Sequence, residues 1–216
     1  MPCGRRVTQS ASQQRLEQLI MERLKAGADK AAIDKRIWDL LGETWAVMYT
    51  DLSGFSRRVA EFGITHFLQT IYESMRIFIP CIEEHDGILL KAEADSLLVI
   101  FRRPELAMAC ALTMQREAEI YNRDMPPEEQ VLLCVGLGYG EMLRIGDEDV
   151  FGAEVNAASK LGEDTAKAWE ILVTENFRDN LPADAAEGLR FDRLPAAPPG
   201  AVAAYSTVYP RQLAAE

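Results

Sequence analysis

Leu97-Leu98-Val99-Ile100-Phe101 is a run of five large apolar residues with no polar alternation. It is too short for a buried helix and too apolar for a strand with one wet face, so it predicts a strand covered on both sides. Ile88-Leu89-Leu90 comes just before it, and Ala94-Asp95-Ser96 lies between the two runs. Two apolar runs around so short a break read as a hairpin. Elsewhere the pattern alternates. Strands are predicted at 45–49, 131–135, 142–145, 171–173 and 205–208, and helices at about 64–84, 104–121 and 153–161, with a glycine-punctuated stretch at 136–140. A local hairpin within such an alternation defines an α+β class, a mostly antiparallel sheet backed by helices.

The 216 residues hold 23 basic and 34 acidic side chains, so the net charge is 23 − 34 = −11. Nucleic-acid binders draw their affinity from cations meeting phosphates, so no nucleic-acid partner is expected. A nucleotide substrate remains open, because metal ions can hold one in an acidic site. At 48% hydrophobic the chain supports a real core. No run approaches ~20 apolar residues, and no membrane partner is expected. The cysteines, Cys3, Cys81, Cys110 and Cys134, show no paired spacing, which argues against a Cys/His zinc site and for reduced thiols. Residues 1–14 lack an apolar stretch, so a cytoplasmic protein without a secretory signal is expected.

Residues 1–12 read as a disordered N-terminus. Leu16, Leu19, Ile20 and Leu24, then Ile33, Ile37, Trp38 and Leu41 behind an Asp29 cap, predict a helical appendage over 13–43, closed by a Gly42-Glu43-Thr44 break. The main domain is expected over 44–210, with a tail at 211–216. The appendage carries no chemical group of note; its apolar stripes are expected to pack on the core or to dock a partner.

Four places carry groups that can do chemistry. Asp51 follows a buried strand and precedes Leu52-Ser53-Gly54-Phe55. It is either a turn cap or a ligand for a hard cation, with the amides around Gly54 free to hold phosphate. Asp95 sits at the hairpin tip; with Asp51 it forms a pair that would repel unless a metal is shared. Strand alternation places Lys91, Glu93 and Asp95 on one face, either as a self-neutralising cluster or with Lys91 free to reach a ligand. Asn156 and Lys160 are i, i+4 on a helix that follows Asp149, either a surface pair or a grip on an anionic or ribose-bearing ligand.

In this order the pieces resemble the class III nucleotidyl (adenylate/guanylate) cyclase catalytic domain, over about residues 45–209. The motifs are Asp51-Leu52-Ser53-Gly54-Phe55, Lys91-Ala92-Glu93-Ala94-Asp95, Gly136-Leu137-Gly138-Tyr139-Gly140-Glu141, and Asp149 through Asn156. The resemblance implies a ferredoxin-like cyclase homology domain. It also implies an adenylate cyclase that turns ATP into 3′,5′-cyclic AMP and pyrophosphate. Asp51, Asp95 and the Leu52 carbonyl would bind two Mg2+ (or Mn2+) ions per site. Gly54 and Phe55 would line the substrate, Lys91 and Asp149 would read adenine, and Asn156 would orient the ribose. The family site lies between two copies, so a homodimer is implied, with the appendage as a further contact.

Several positions depart from the family pattern. Lys160 stands where an arginine usually grips the transition state, a loss of about 1–3 kcal/mol. Ala94 replaces a glycine, and Glu93 adds an acid able to engage Lys91. The link from Glu141 to Asn156 is short, and residues 201–204 supply no cation for the terminal phosphates. These departures leave open a degenerate domain that binds nucleotide or dimerises with little turnover, or a cyclase for another nucleoside triphosphate.

Overall fold

An eleven-residue strand, β1 (Gly42–Leu52), pairs along both edges. In the computed structural model, which describes residues 10–54 and 61–211, β1 lies antiparallel between β3 (Ser96–Phe101) and β4 (Leu133–Ile145). The sheet continues outward from β3 to β2 (Ile88–Glu93). From β4 it passes to β6 (Ile171–Thr174), β8 (Ala204–Val208) and β7 (Arg190–Arg193), while β5 (Asp149–Phe151) pairs with the far end of β4. Among these pairings only β4 with β6 is parallel. The expected α+β class, a mostly antiparallel sheet flanked by helices, is what the chain adopts.

Alternation along the central strands divides the sheet into two faces. One face presents Met48, Val99, Phe101, Val135 and Leu137 to α3 (Ile64–Glu84) and α4 (Pro104–Asn122), and Phe78, Cys81, Ile82, Met108 and Met114 from those helices complete the main core. The other presents Trp45, Val47, Leu98 and Ile100 to α5 (Ala153–Ser159) and to Val150 of β5.

At Gly136, Gly138 and Gly140 the middle of β4 has no side chains on that second face. A Cβ on Gly136 would stand 2.2 Å from the Ala158 carbonyl oxygen, and one on Gly138 would stand 2.6 Å from that of Glu154. The glycines therefore let α5 lie directly on the sheet backbone. The glycine-punctuated stretch 136–140 is the middle of one thirteen-residue strand, joining the separate strands expected at 131–135 and 142–145. α5 ends at Ser159, before the expected 161, and the chain continues as a π-helical turn, Lys160–Thr165.

Two further boundaries are corrected. Helix α1 (Ala11–Arg23) starts inside the segment expected to be disordered, because Ser10 caps it by accepting from the Gln13 N–H. Gly42-Glu43-Thr44 is no break: α2 (Lys30–Leu41) runs straight into β1, where these three residues pair with Leu143, Met142 and Glu141. The α1–α2 hairpin packs through Leu19, Ile33, Ile37 and Leu41 onto Ile145 at the end of β4. A short helix, α6 (Glu175–Asn180), and the polar edge strand β7 were not foreseen.

Gly138→Ala places a methyl group against backbone that cannot swing aside. It is expected to lower unfolding free energy by about 2 kcal/mol or more, read as a lower urea midpoint at unchanged m-value. An unchanged midpoint would mean that α5 is not seated on β4.

Candidate active site

The last pairing between β1 and β3 is Thr50 with Leu97. One residue further along β1 is Asp51, and two residues back from Leu97 is Asp95, in the two-residue turn Ala94–Asp95 between β2 and β3. The register thus delivers both acids to one end of the sheet, where the Asp51 and Asp95 side chains hydrogen-bond to each other. Burial pushes the Asp51 carboxyl up to about 7; the charge of Asp95 and their shared hydrogen bond add to the shift, and the Leu52 N–H works against it. Two half-buried carboxyl groups held together in this way can share a proton or a cation. Ala94 takes φ 52°, a left-handed geometry that favours glycine, so the departure from the family pattern falls where it costs about 1–2 kcal/mol.

Lys91 donates to Asp149 across 2.7 Å, with 36% and 26% of the two side chains exposed. Three strands lie between β2 and β5 in the sheet order, so this contact depends on two local features. A bulge between Leu89 and Lys91 moves the register by one, placing Lys91 opposite Leu98 rather than Leu97. That slip turns Lys91 from the helix-covered core face to the α5 face. The tight β4–β5 hairpin then brings Asp149 over the same face, with Val150 in one apolar cluster with Trp45, Val47, Leu98 and Ile100. Glu93 is able by sequence to engage Lys91, but the partner in the structure is Asp149. Asp95 does not extend the Lys91–Glu93 strand face, because the strand ends at Glu93.

Asn156 and Lys160 share the outer side of α5 and its continuation. The Asn156 amide donates to the Pro199 carbonyl at 2.8 Å, which fixes its orientation. The Lys160 ammonium lies 2.6 Å from Asp164, an exposed i, i+4 pair whose hydrogen bond and charge raise the lysine's pKa. Gly54 follows the acid with φ 89°, a turn that its lack of a side chain permits. Phe55 lies outside the described residues.

The sequence reading missed Glu154. It is 5% exposed, and its carboxyl oxygens accept from the Tyr139 N–H at 3.2 Å, Thr174 Oγ1 at 2.6 Å and Asn176 Nδ2 at 2.7 Å. These bonds tie α5 to β4, β6 and α6. A first-turn glutamate ordinarily faces water; the one signal that this one does not is the bare glycine strip it faces.

Among the described residues no three His, Cys, Asp or Glu side chains gather around one point. A cation site would rest on Asp51, Asp95 and backbone oxygen at Leu52. That set suits a hard divalent ion, and such an ion would turn the repulsion between the acids into attraction.

No protein-family model matches the chain. Over 141 residues, 65% of its length, it is 30% identical to the serine/threonine-protein kinase pkn2 of Myxococcus xanthus. Over 134 residues, 62% of its length, it is 28% identical to "Putative adenylate cyclase 3" of Rhizobium meliloti (strain 1021). The chain spans 16% and 22% of the lengths of these two relatives. Among solved structures it is similar to an adenylate/guanylate cyclase/hydrolase from Silicibacter pomeroyi, with a TM-score of 0.67 and 22% identity over 79% of this chain and 98% of that one. It is also similar to the adenylyl cyclase CyaB from P. aeruginosa, with a TM-score of 0.60 and 18% identity over 79% and 96%. The guanylyl cyclase Cya2 matches with a TM-score of 0.60 and 16% identity over 81% and 96%. The chain therefore has the fold of adenylate and guanylate cyclase catalytic domains, as the four motifs implied.

The raised carboxyl of Asp51 sets a pH dependence. A folded pKa of about 7 against an ordinary value of about 4 means that the folded state holds this proton more tightly between those limits, so stability falls as pH rises from 4 to 7. After a discount for solvent, chelator-treated protein should lose about 2 kcal/mol over that interval relative to Asp51→Asn. Thermal melts at stepped pH measure the difference, and parallel curves for the two proteins would contradict the arrangement.

Proposed function

We propose that the chain is an adenylate cyclase domain, converting ATP to 3′,5′-cyclic AMP and pyrophosphate at sites shared by two copies. The observation that carries the reading is the hydrogen-bonded pair Asp51 and Asp95 at the sheet end. In the reaction the ribose 3′-oxygen forms a bond to the α-phosphorus, the bond from that phosphorus to the oxygen bridging to the β-phosphate breaks, and the hydroxyl proton is released. Asp51, Asp95 and the Leu52 carbonyl are the groups that would hold Mg2+ or Mn2+, two ions per site, and such ions supply a lowered pKa for the 3′-hydroxyl and charge neutralisation for the phosphates.

The remaining work falls to the chain's own groups. Lys91 donates to an adenine ring nitrogen and Asp149 accepts from the amino group, whereas guanine would set its carbonyl against a carboxylate. In the absence of nucleotide the two residues satisfy each other. An ion pair this exposed contributes about 0–1 kcal/mol, so a base that replaces it loses little. Asn156, held by Pro199, orients the ribose. Lys160 offers a positive charge to the developing transition state, without the fork of an arginine. Support for a homodimer comes from α3, where Ile64, Leu68 and Tyr72 form an exposed stripe at i, i+4, i+8, with Tyr72 80% exposed. A cytoplasmic location fits the absence, among the described residues, of any helix long and apolar enough to cross a membrane.

A second reading, a nucleotide-binding or dimerising domain with little turnover, draws on the neutralisation of Lys160 by Asp164. Product detection with each of the four nucleoside triphosphates and Mg2+ or Mn2+ separates the two. Cyclic AMP from ATP, reduced at least 100-fold in Asp51→Asn and in Asp95→Asn, is the expected result. ATP binding without product would favour the second reading. Lys160→Arg should raise kcat about tenfold at similar KM, and a slower variant would contradict the role given to that position.

A further inference from the structure

A cavity of about 330 Å³ opens beside the Lys91–Asp149 pair, and one of its walls comes from the N-terminal helical appendage. That wall is α1, through Gln13, Leu16 and Glu17; Glu148 and Asp149 come from the β4–β5 hairpin. We propose that α1 completes the base-binding pocket and that Gln13 and Glu17 are specificity-determining residues for a purine nucleotide. The inference rests on the reading of Lys91 and Asp149 as base readers.

The helix is held in place by more than apolar contact. Leu19 is fully buried against Ile33, Ile37 and Ile145. Arg23 bonds both carboxylate oxygens of Asp34, at 2.6 and 3.1 Å, which locks α1 to α2. At the other end a Cβ on Gly146 would lie 3.2 Å from Ser10 Oγ, so the N-cap of α1 rests on the turn of the hairpin that carries Asp149. Gln13 and Glu17, one helical turn apart, are thus fixed relative to the residue that reads the base.

Their chemistry complements that of the reader pair. Lys91 and Asp149 satisfy one ring nitrogen and one hydrogen of an adenine amino group; the second amino hydrogen and the remaining edge are left for other partners. Glu17 adds an acceptor, and the Gln13 amide adds a donor and an acceptor. The same acceptors face the carbonyl of a guanine in that pose, so the wall raises the preference for ATP over GTP by repulsion as well as attraction.

The test uses the full chain carrying Gln13→Ala and Glu17→Ala together, with Lys91→Ala as the reference and Gln14→Ala, exposed on the same helix, as the control. Turnover of ATP and GTP is measured alongside binding of a fluorescent ATP analogue. The double variant is expected to raise the ATP KM and the analogue Kd three- to tenfold, keep kcat within twofold, and lower the ATP-to-GTP preference at least threefold. Its melting temperature should stay within a few degrees of the parent. If Lys91→Ala weakens nucleotide binding but the double variant leaves KM, Kd and the preference unchanged, the inference is overturned and the cyclase reading stands. If Lys91→Ala changes none of them, both fall.

Discussion

The seating of α5 on the bare face of β4 is the contact on which the rest of the site depends. Gly136 and Gly138 remove the side chains that would hold the helix off the sheet. Glu154 then clamps it from inside through three hydrogen bonds to β4, β6 and α6. Losing one of these partners would leave a buried carboxyl short of a donor, which is costly in a core that admits no water to replace it. Asn156 and Lys160 take their positions from this helix, and Asp51 takes its own from the strand beside β4. A shift of α5 by one side-chain thickness would carry Asn156 and Lys160 with it.

A net charge of −11 does not by its sign favour the triphosphate of the proposed reaction, and the placement of the charges bears on that difficulty. The acids that matter, Asp51 and Asp95, are pressed together at the sheet end, where a divalent cation gains most. Among the described residues, Lys91 and Lys160 are already engaged, Lys91 with Asp149 and Lys160 with Asp164. On the proposed function, affinity for the nucleotide would depend on cations that arrive with it, leaving Lys91 for the base and Lys160 for the transition state.

Much of this was legible in the residues. The apolar run 97–101 announced a doubly covered strand, and the family resemblance singled out Asp51 with Asp95 and Lys91 with Asp149, two pairs that the fold brings together. The misses have local causes. The glycines of β4 read as punctuation because glycine ordinarily weakens a strand, and only the close approach of α5 explains them. The face on which Lys91 emerges depends on a one-residue bulge that no period-2 pattern reveals. Glu154 looks like a surface residue of a short helix until its three donors are in view. β7 escaped notice because Arg190-Phe191-Asp192-Arg193 is an edge strand, mostly solvated and with little apolar content.

If acids from one copy work with base readers from another, two crippled proteins should rescue each other when mixed. Asp51→Asn and Lys91→Ala should each be inactive alone. Random pairing makes half the dimers mixed, and each mixed dimer carries one intact site of two, so an equimolar mixture should recover about a quarter of the parent activity. Recovery to that level, lost on dilution below the dimer dissociation constant, is the result the shared site predicts. A mixture as inactive as its components, at concentrations where mixed dimers are shown to form, would contradict it.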